Sequence, residues 1–290
     1  MPRHGGRIAA LAILISAATL TAAQACTGAG VITRIDGRPQ DLTITRMADG
    51  KPSVVSRPRV LEVVCQDDAI HVVGATFVTM SIDGRGVVRV DRALDYRVPA
   101  RSGAPSLAGN AYRTLDEQVL PDMKRLPWNV RIKGAGDDFG FAVPALTQGA
   151  EKLRAGHRDL IVRLVGGTPP YKVEIRLASG ELVSSQSSDG HQVILRDLVL
   201  SPRVYEITAT DSTPRELHAQ VIAVDDAPPL DAAFADLADP EIRTAATATA
   251  LARSDPGSWS LEAEQLVQAS PANGLDRDKV YELIESYGDE

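Results

Sequence analysis

The sequence predicts a mainly β protein: two small β units in series, followed by a short α-helical tail. Three observations predict it. Short runs rich in β-branched residues recur from Gly30 to Asp226, several alternate, and turn dipeptides such as Asp36-Gly37 and Asp83-Gly84 divide them. The 290 residues, 44% hydrophobic and 24% charged, have ordinary globular composition and suffice for two domains. Beyond Asp226 the pattern changes to capped segments of helical spacing. The division is a leader over 1–25, a β unit with a connecting helix over 26–148, a second β unit over 149–226, and linker plus helices over 227–290.

The leader reads as a secretory signal. Arg3, His4 and Arg7 precede the apolar run Ile8–Leu20, which is shorter than the roughly 20 residues a membrane-spanning helix needs. Ala23-Gln24-Ala25 supplies a small-x-small cleavage pattern, making Cys26 the first mature residue. A periplasmic or secreted protein without a transmembrane span is expected, in a compartment where disulfides persist. Cysteine is used twice, at Cys26 and Cys65. A disulfide between them would contribute on the order of 4 kcal/mol by the chain-entropy model. The alternatives are a lipid anchor at Cys26 and two free thiols. Ala23 and Gln24 stand where a lipoprotein signal carries leucine and a small residue.

In the first unit, strands are expected at 31–35, 42–45, 60–64, 70–73, 77–82 and 87–90. Asp83-Gly84-Arg85-Gly86 between two of them reads as a hairpin connection, since glycine accepts the positive φ of tight turns. Residues 101–150 connect, with a helix over Asn110–Leu120 and strands at 129–133 and 139–143 that either complete the first sheet or begin the next. The second unit carries strands at 159–165, 171–177, 193–195, 203–210 and 217–224, the alternation of Val204–Ala209 marking a half-buried strand. Asp225-Asp226-Ala227-Pro228-Pro229 is a linker. Pro240 opens a helix through Leu251, Ser260 caps 261–269 and Asp276 caps 279–287.

Gly30-Val31-x-Thr33-Arg34-x-x-Gly37, Asp68-x-Ile70, Gly74, Ile82-Asp83-Gly84 and Val88-x-Val90 resemble the FecR-type extracytoplasmic domain. Asp67 departs from the family's glycine, and Cys65 is atypical. The resemblance implies an extracytoplasmic β scaffold that engages partners. Gly166-Gly167-x-Pro169-Pro170-Tyr171 and the strand Tyr205-x-Ile207-x-Ala209-x-Asp211 resemble bacterial immunoglobulin-like domains.

Chemistry-bearing motifs are sparse. There is no phosphate-loop lysine motif, H-E-x-x-H, G-x-S-x-G or Cys-x-x-Cys. His71, His157, His191 and His218 are scattered. Gly134-x-Gly136-x-x-x-Gly140 has its third glycine too far along for a nucleotide loop and runs into a strand. Asp67-Asp68 and Asp137-Asp138 would point to opposite faces of a strand. Asp276-x-Asp278 with Glu282 lacks a calcium loop's glycine and suits a helix N-terminus instead. Acidic neighbours at 67 and 68 would raise the Cys65 thiol and oppose a nucleophilic role. Net charge is −7, more negative by two without Arg3 and Arg7, which disfavours nucleic acid as a partner.

The expectation is therefore an exported, non-enzymatic binding, assembly or signalling-scaffold protein of the bacterial cell envelope, acting through protein contacts, with no catalytic or metal residues and no cofactor. The alternatives are a small-molecule sensor with an apolar pocket between the β units, and a cell-envelope hydrolase on an unfamiliar scaffold.

Overall fold

The computed structural model describes residues 26–48, 51–91, 95–99, 111–112, 114, 138–213, 215–230, 232–255, 258–270 and 275–286. The leader, most of the Asn110–Leu120 helix, the 129–133 strand and the Gly134–Gly136 loop lie outside the described residues. The fold is mainly β with three short helices at the C-terminal end.

The first unit holds β1 (Gly28–Asp36), β2 (Leu42–Ala48), β3 (Lys51–Ser56), β4 (Val63–Cys65), β5 (Ala69–Val72), β6 (Phe77–Ile82), β7 (Gly86–Asp91) and β8 (Tyr96–Arg97). Two four-stranded antiparallel sheets, β4-β1-β6-β7 and β3-β2-β5-β8, face each other. Alternation sends Ile32, Leu42, Ile44, Val64, Ile70, Val78, Met80 and Val90 into the space between them. β3 and β8 add to the strands legible in the sequence. Gly30 is needed for close approach, because a Cβ there would lie 2.2 Å from the Ser81 carbonyl oxygen on β6. Asp67 and Asp68 sit in a turn between β4 and β5. Asp68 is buried and accepts the Cys65 N–H at 2.8 Å and the Arg46 guanidinium at 3.0 Å.

The second unit comprises β9 (Gly140–Phe141), β10 (Ala150–Arg154), β11 (Gly156–Val165), β12 (Tyr171–Leu177), β13 (Leu182–Ser188), β14 (Gln192–Leu200), β15 (Val204–Thr210) and β16 (Glu216–Val224). β9 pairs with β11, so the segment just before residue 149 joins this unit's sheets. The layers are β10-β16-β15-β12-β13, in which β10 runs parallel to β16, and β14-β11-β9. The chain switches sheets between β9 and β10 through a 3-10 turn, Pro144–Thr147. The two layers form a β-sandwich. A tyrosine corner accompanies it: Tyr205 Oη accepts the Ser201 N–H at 2.9 Å and donates to the Ser201 carbonyl.

The Gly-Gly-x-Pro-Pro-Tyr motif has a physical role at one end of this sandwich. Asp211 accepts the Thr168 N–H at 3.0 Å, Ser212 N–H bonds the Thr168 carbonyl, and Tyr171 Oη donates to the Gly166 carbonyl. Gly167 has φ +75°, and a Cβ there would strike Phe139 at 2.7 Å. Burial pushes the Asp211 carboxyl up, but hydrogen bonds from Thr213, Arg215 and the Thr168 and Arg215 amides outweigh it and hold the group well below the carboxylate range.

Three helices complete the chain: α1 (Pro240–Ser254), α2 (Ser260–Ala269) and α3 (Arg277–Ser286). Asp239 caps α1 by accepting from Glu241 and Ile242, and Pro240 fills the first turn. Asp276 Oδ1 accepts the Lys279 N–H at the start of α3. Ser260 does not cap α2, contrary to its sequence position; its hydroxyl has no hydrogen-bond partner among the described residues. The Leu261 N–H is taken instead by Glu151, from β10.

The helices touch both β units. Ile242, Ala245, Ala246, Val280, Leu283 and Ile284 share a buried cluster with Val31, Val60, Leu61 and Val63 of the first sandwich. Leu261 inserts into the core of the second. The alanines of α1 let the helices approach closely, and α2 is consequently buried almost all round. No helix among the described residues is long and apolar enough to cross a membrane.

Candidate interaction surface

A sheet edge presents unpaired N–H and C=O groups, which the fold either covers or leaves open. Here both solutions occur. Among the described residues, the large apolar side chains left exposed are Met47, Val54, Val73, Val87, Leu182, Val183 and Val199. Val54 lies on β3, Val87 on β7, Leu182 and Val183 on β13, and Val199 on β14, each the outermost strand of its sheet. Val54 is 59% exposed and faces Thr45 across the β2–β3 pair, while Met47, 57% exposed, faces Pro52 two residues along. Lys51 and Pro52 flank this edge, as charge and proline often do on strands kept from indiscriminate pairing.

The opposite treatment is seen where the switch from β9 to β10 leaves the sandwich open. β9 covers β11 at Leu164 and Val165, and the Ala142 N–H that follows it bonds the Arg163 carbonyl at 2.9 Å. Farther back along the strand, α2 takes over. Ile161 N–H donates to Gln265 Oε1 and Gln265 Nε2 donates to the Ile161 carbonyl, both at 2.8 Å. Glu262 accepts the Arg154 N–H at 3.2 Å and the Arg158 guanidinium at 2.6 Å. A groove of about 490 Å³ lies beside this contact, walled by Arg154, His157 and Arg158 on one side and Leu266 and Ala269 on the other.

The joint is rich in buried carboxyls. Glu151 is fully buried; desolvation raises its carboxyl to about 7, opposed by the Leu261 N–H it accepts at 2.9 Å. Arg163 Nη1 reaches both Glu264 at 3.2 Å and Glu285 at 3.4 Å, and its guanidinium lies over the Tyr281 ring, 4.0 Å from the centroid. Burial raises both glutamates above the ordinary carboxylate value; Glu264 raises Glu285 further, and Arg163 opposes both shifts. These residues escaped the sequence reading. A helical projection would have found part of the signal, since Glu264 and Gln265 fall at i+3 and i+4 from Leu261, on its face of α2.

The structure joins Cys26 to Cys65 in a disulfide, with Cα atoms 5.5 Å apart. That sulfur is thus not available for a lipid thioether. The four histidines do not converge. His71 bonds Asp95 at 2.5 Å, His157 lies 3.6 Å from Asp197, His218 lies 3.6 Å from Glu216, and His191 is tilted against Tyr171. Asp278 follows the Asp276 cap in the first turn of α3, and Glu282 pairs with Lys279. Among the described residues no group of three or more His, Cys, Asp and Glu is placed to hold a metal ion.

No family model matches the chain, and no curated protein matches it. Among solved structures, the chain is similar to CopC from Methylosinus trichosporium OB3b, with TM-score 0.21 and 17% identity over 27% of this chain and 88% of that one. It is also similar to an engineered protein, with TM-score 0.24 and 20% identity over 31% and 21% of the respective chains. At these scores neither likeness speaks for fold or function.

Proposed function

We propose that the protein is an exported, non-enzymatic binding or assembly scaffold of the bacterial cell envelope, its first unit a FecR-type extracytoplasmic domain. One observation carries the reading: exposed aliphatic side chains concentrate on outermost strands, while the sheet opening at β11 is covered by a helix. Such an edge engages an extended segment through main-chain hydrogen bonds, and its exposed side chains add apolar contact. The β3 edge, with Val54 beside Met47, is the strongest candidate. The signal-peptide pattern, the disulfide and the acidic balance support an envelope partner that is protein rather than nucleic acid.

The test is capture of partners from an envelope fraction by C-terminally tagged protein, in parallel with a Met47→Lys/Val54→Lys variant. The variant should fold identically by circular dichroism and lose the specifically captured protein. Retention of the same captured proteins by the variant would rule out the β3 edge as the contact.

A further inference from the structure

We propose that the joint between α2–α3 and the second sandwich is a proton-operated latch: it holds closed over the outer edge of β11 while the Glu264–Glu285 pair carries a proton, and loosens when that proton leaves. The inference goes beyond the partner-binding reading and does not depend on it.

The charge count comes first. Glu151, Glu264 and Glu285 are buried at this joint, and Arg163 is the guanidinium placed between the last two. One arginine cannot neutralise two ionised carboxylates, and the desolvated surplus charge has no water to screen it. Both carboxyls converge on one guanidinium nitrogen, Arg163 Nη1, at 3.2 and 3.4 Å, so a proton on either of them removes the surplus charge.

The surroundings do not relieve the surplus. β11 brings Arg163, whose face is packed on Tyr281. β10 brings Glu151, which adds a further repulsion toward Glu264. α3 brings Glu282, which also raises Glu285. α1 brings Glu241, which accepts the Leu275 N–H at the start of α3. Lys279 is taken by Glu282 at 2.7 Å, on the exposed side of α3. Full ionisation of the pair therefore sets two negative charges against each other across the α2–α3 contact, beside a third acid.

The mechanical consequence follows from what α2 covers. Gln265 occupies both backbone groups of Ile161, and Glu262 holds the Arg154 N–H. Loosening α2 frees the edge of β11 that continues the line of β9. The sign is fixed by linkage. Both carboxyls are raised in the folded protein, so the closed joint binds protons more tightly than the open one. Closure is fully supported below the ordinary carboxylate value of 4.5 and is lost as pH rises toward about 8, where Glu285 stands.

The test is amide hydrogen exchange of the full chain at about pH 6 and about pH 9, corrected for intrinsic rates. Opening of α3 and of the Ile161 amide should increase by roughly tenfold or more, while β1 and β6 stay unchanged. Glu285→Gln, which keeps the side chain's size and cannot ionise, should markedly reduce the response of α3, leaving at α2 the part that Glu151 contributes. An unchanged wild-type protein, or an equal response in the variant, would overturn the proposal. Should that variant not fold, Glu264→Gln removes the same surplus charge from the other helix. The Glu285 carboxyl carbon resonance, assigned by its loss in Glu285→Gln, gives an independent reading: titration above about pH 7 supports the latch, and titration below that overturns it.

Discussion

The side-chain amide of Gln265 and the backbone of Ile161 exchange two hydrogen bonds of 2.8 Å, although the residues lie 104 positions apart. Each pairs with the other as residues on adjacent antiparallel strands would. A helix thereby satisfies one step of a sheet edge without supplying a strand. The arrangement shows why β11 escapes the exposure that β3, β7 and β13 retain, and it makes the C-terminal helices part of the second sandwich.

Replacing Gln265 by leucine keeps the volume and removes both partners of Ile161. The backbone N–H and C=O are then left against an apolar group in a half-buried site. Loss of about 1–3 kcal/mol is expected in urea unfolding of the full chain, with faster exchange of the Ile161 amide. Leu261→Ala, at a position 1% exposed in the core, should cost about 2–5 kcal/mol by opening a cavity there.

Glu151→Gln tests the buried carboxyl that meets the start of α2. Desolvation raises this group from 4.5 to about 7, so the folded state holds its proton more tightly than the unfolded chain. Stability from this group is complete below about pH 4.5 and declines until about pH 7. Glutamine retains an oxygen for the Leu261 N–H and cannot ionise. The variant should match wild type near pH 4.5 and exceed it at pH 8 by up to about 3 kcal/mol. Parallel melting curves that keep the same offset at both pH values would show that Glu151 does not titrate in this window.

Strands with β-branched alternation, such as Val204–Thr210 and Phe77–Ile82, were legible because local pattern and burial agree there. β13 was missed because Leu182–Ser188 is serine-rich and largely exposed, so it lacks the apolar signal while still pairing with β12. β3 was missed for a similar reason: Lys51–Ser56 faces solvent on nearly every residue. Ser260 looked like a cap because serine before a helical run usually is one. The tertiary contact from Glu151 supplied the acceptor instead, at a sequence distance no local rule spans. The Arg163–Glu264–Glu285 group was invisible for the same reason, since its three members come from three elements brought together by the helix packing.

The tyrosine corner offers a narrow test of the second unit. Tyr205 is buried, and its hydroxyl serves both the N–H and the carbonyl of Ser201 at the turn into β15. Tyr205→Phe removes only that oxygen and leaves the ring in place. Urea unfolding should show a loss of about 1–2 kcal/mol without change in the denaturant slope. An unaltered midpoint would mean that the turn is held by its strand pairing alone.

Cys26 is held at the first sandwich by more than its sulfur. Gly28 registers opposite Cys65 in the β1–β4 pair, and the Gln66 N–H bonds the Thr27 carbonyl. Cys26 also packs against the cluster formed by the helices and the outer side of β1 and β4. The disulfide thus anchors the start of β1 where the first sandwich meets the helical layer. The linked residues are 39 apart, and closing such a loop restricts the unfolded chain more than the folded one. Cys65→Ser should therefore lower stability by about 2–4 kcal/mol, with the first unit and its helix contact most affected. Thiol titration of denatured, unreduced protein should find no free sulfhydryl. Two titratable thiols, or a diacylglyceryl mass increment on the Cys26 peptide, would contradict the bond and require a different anchor for the start of β1.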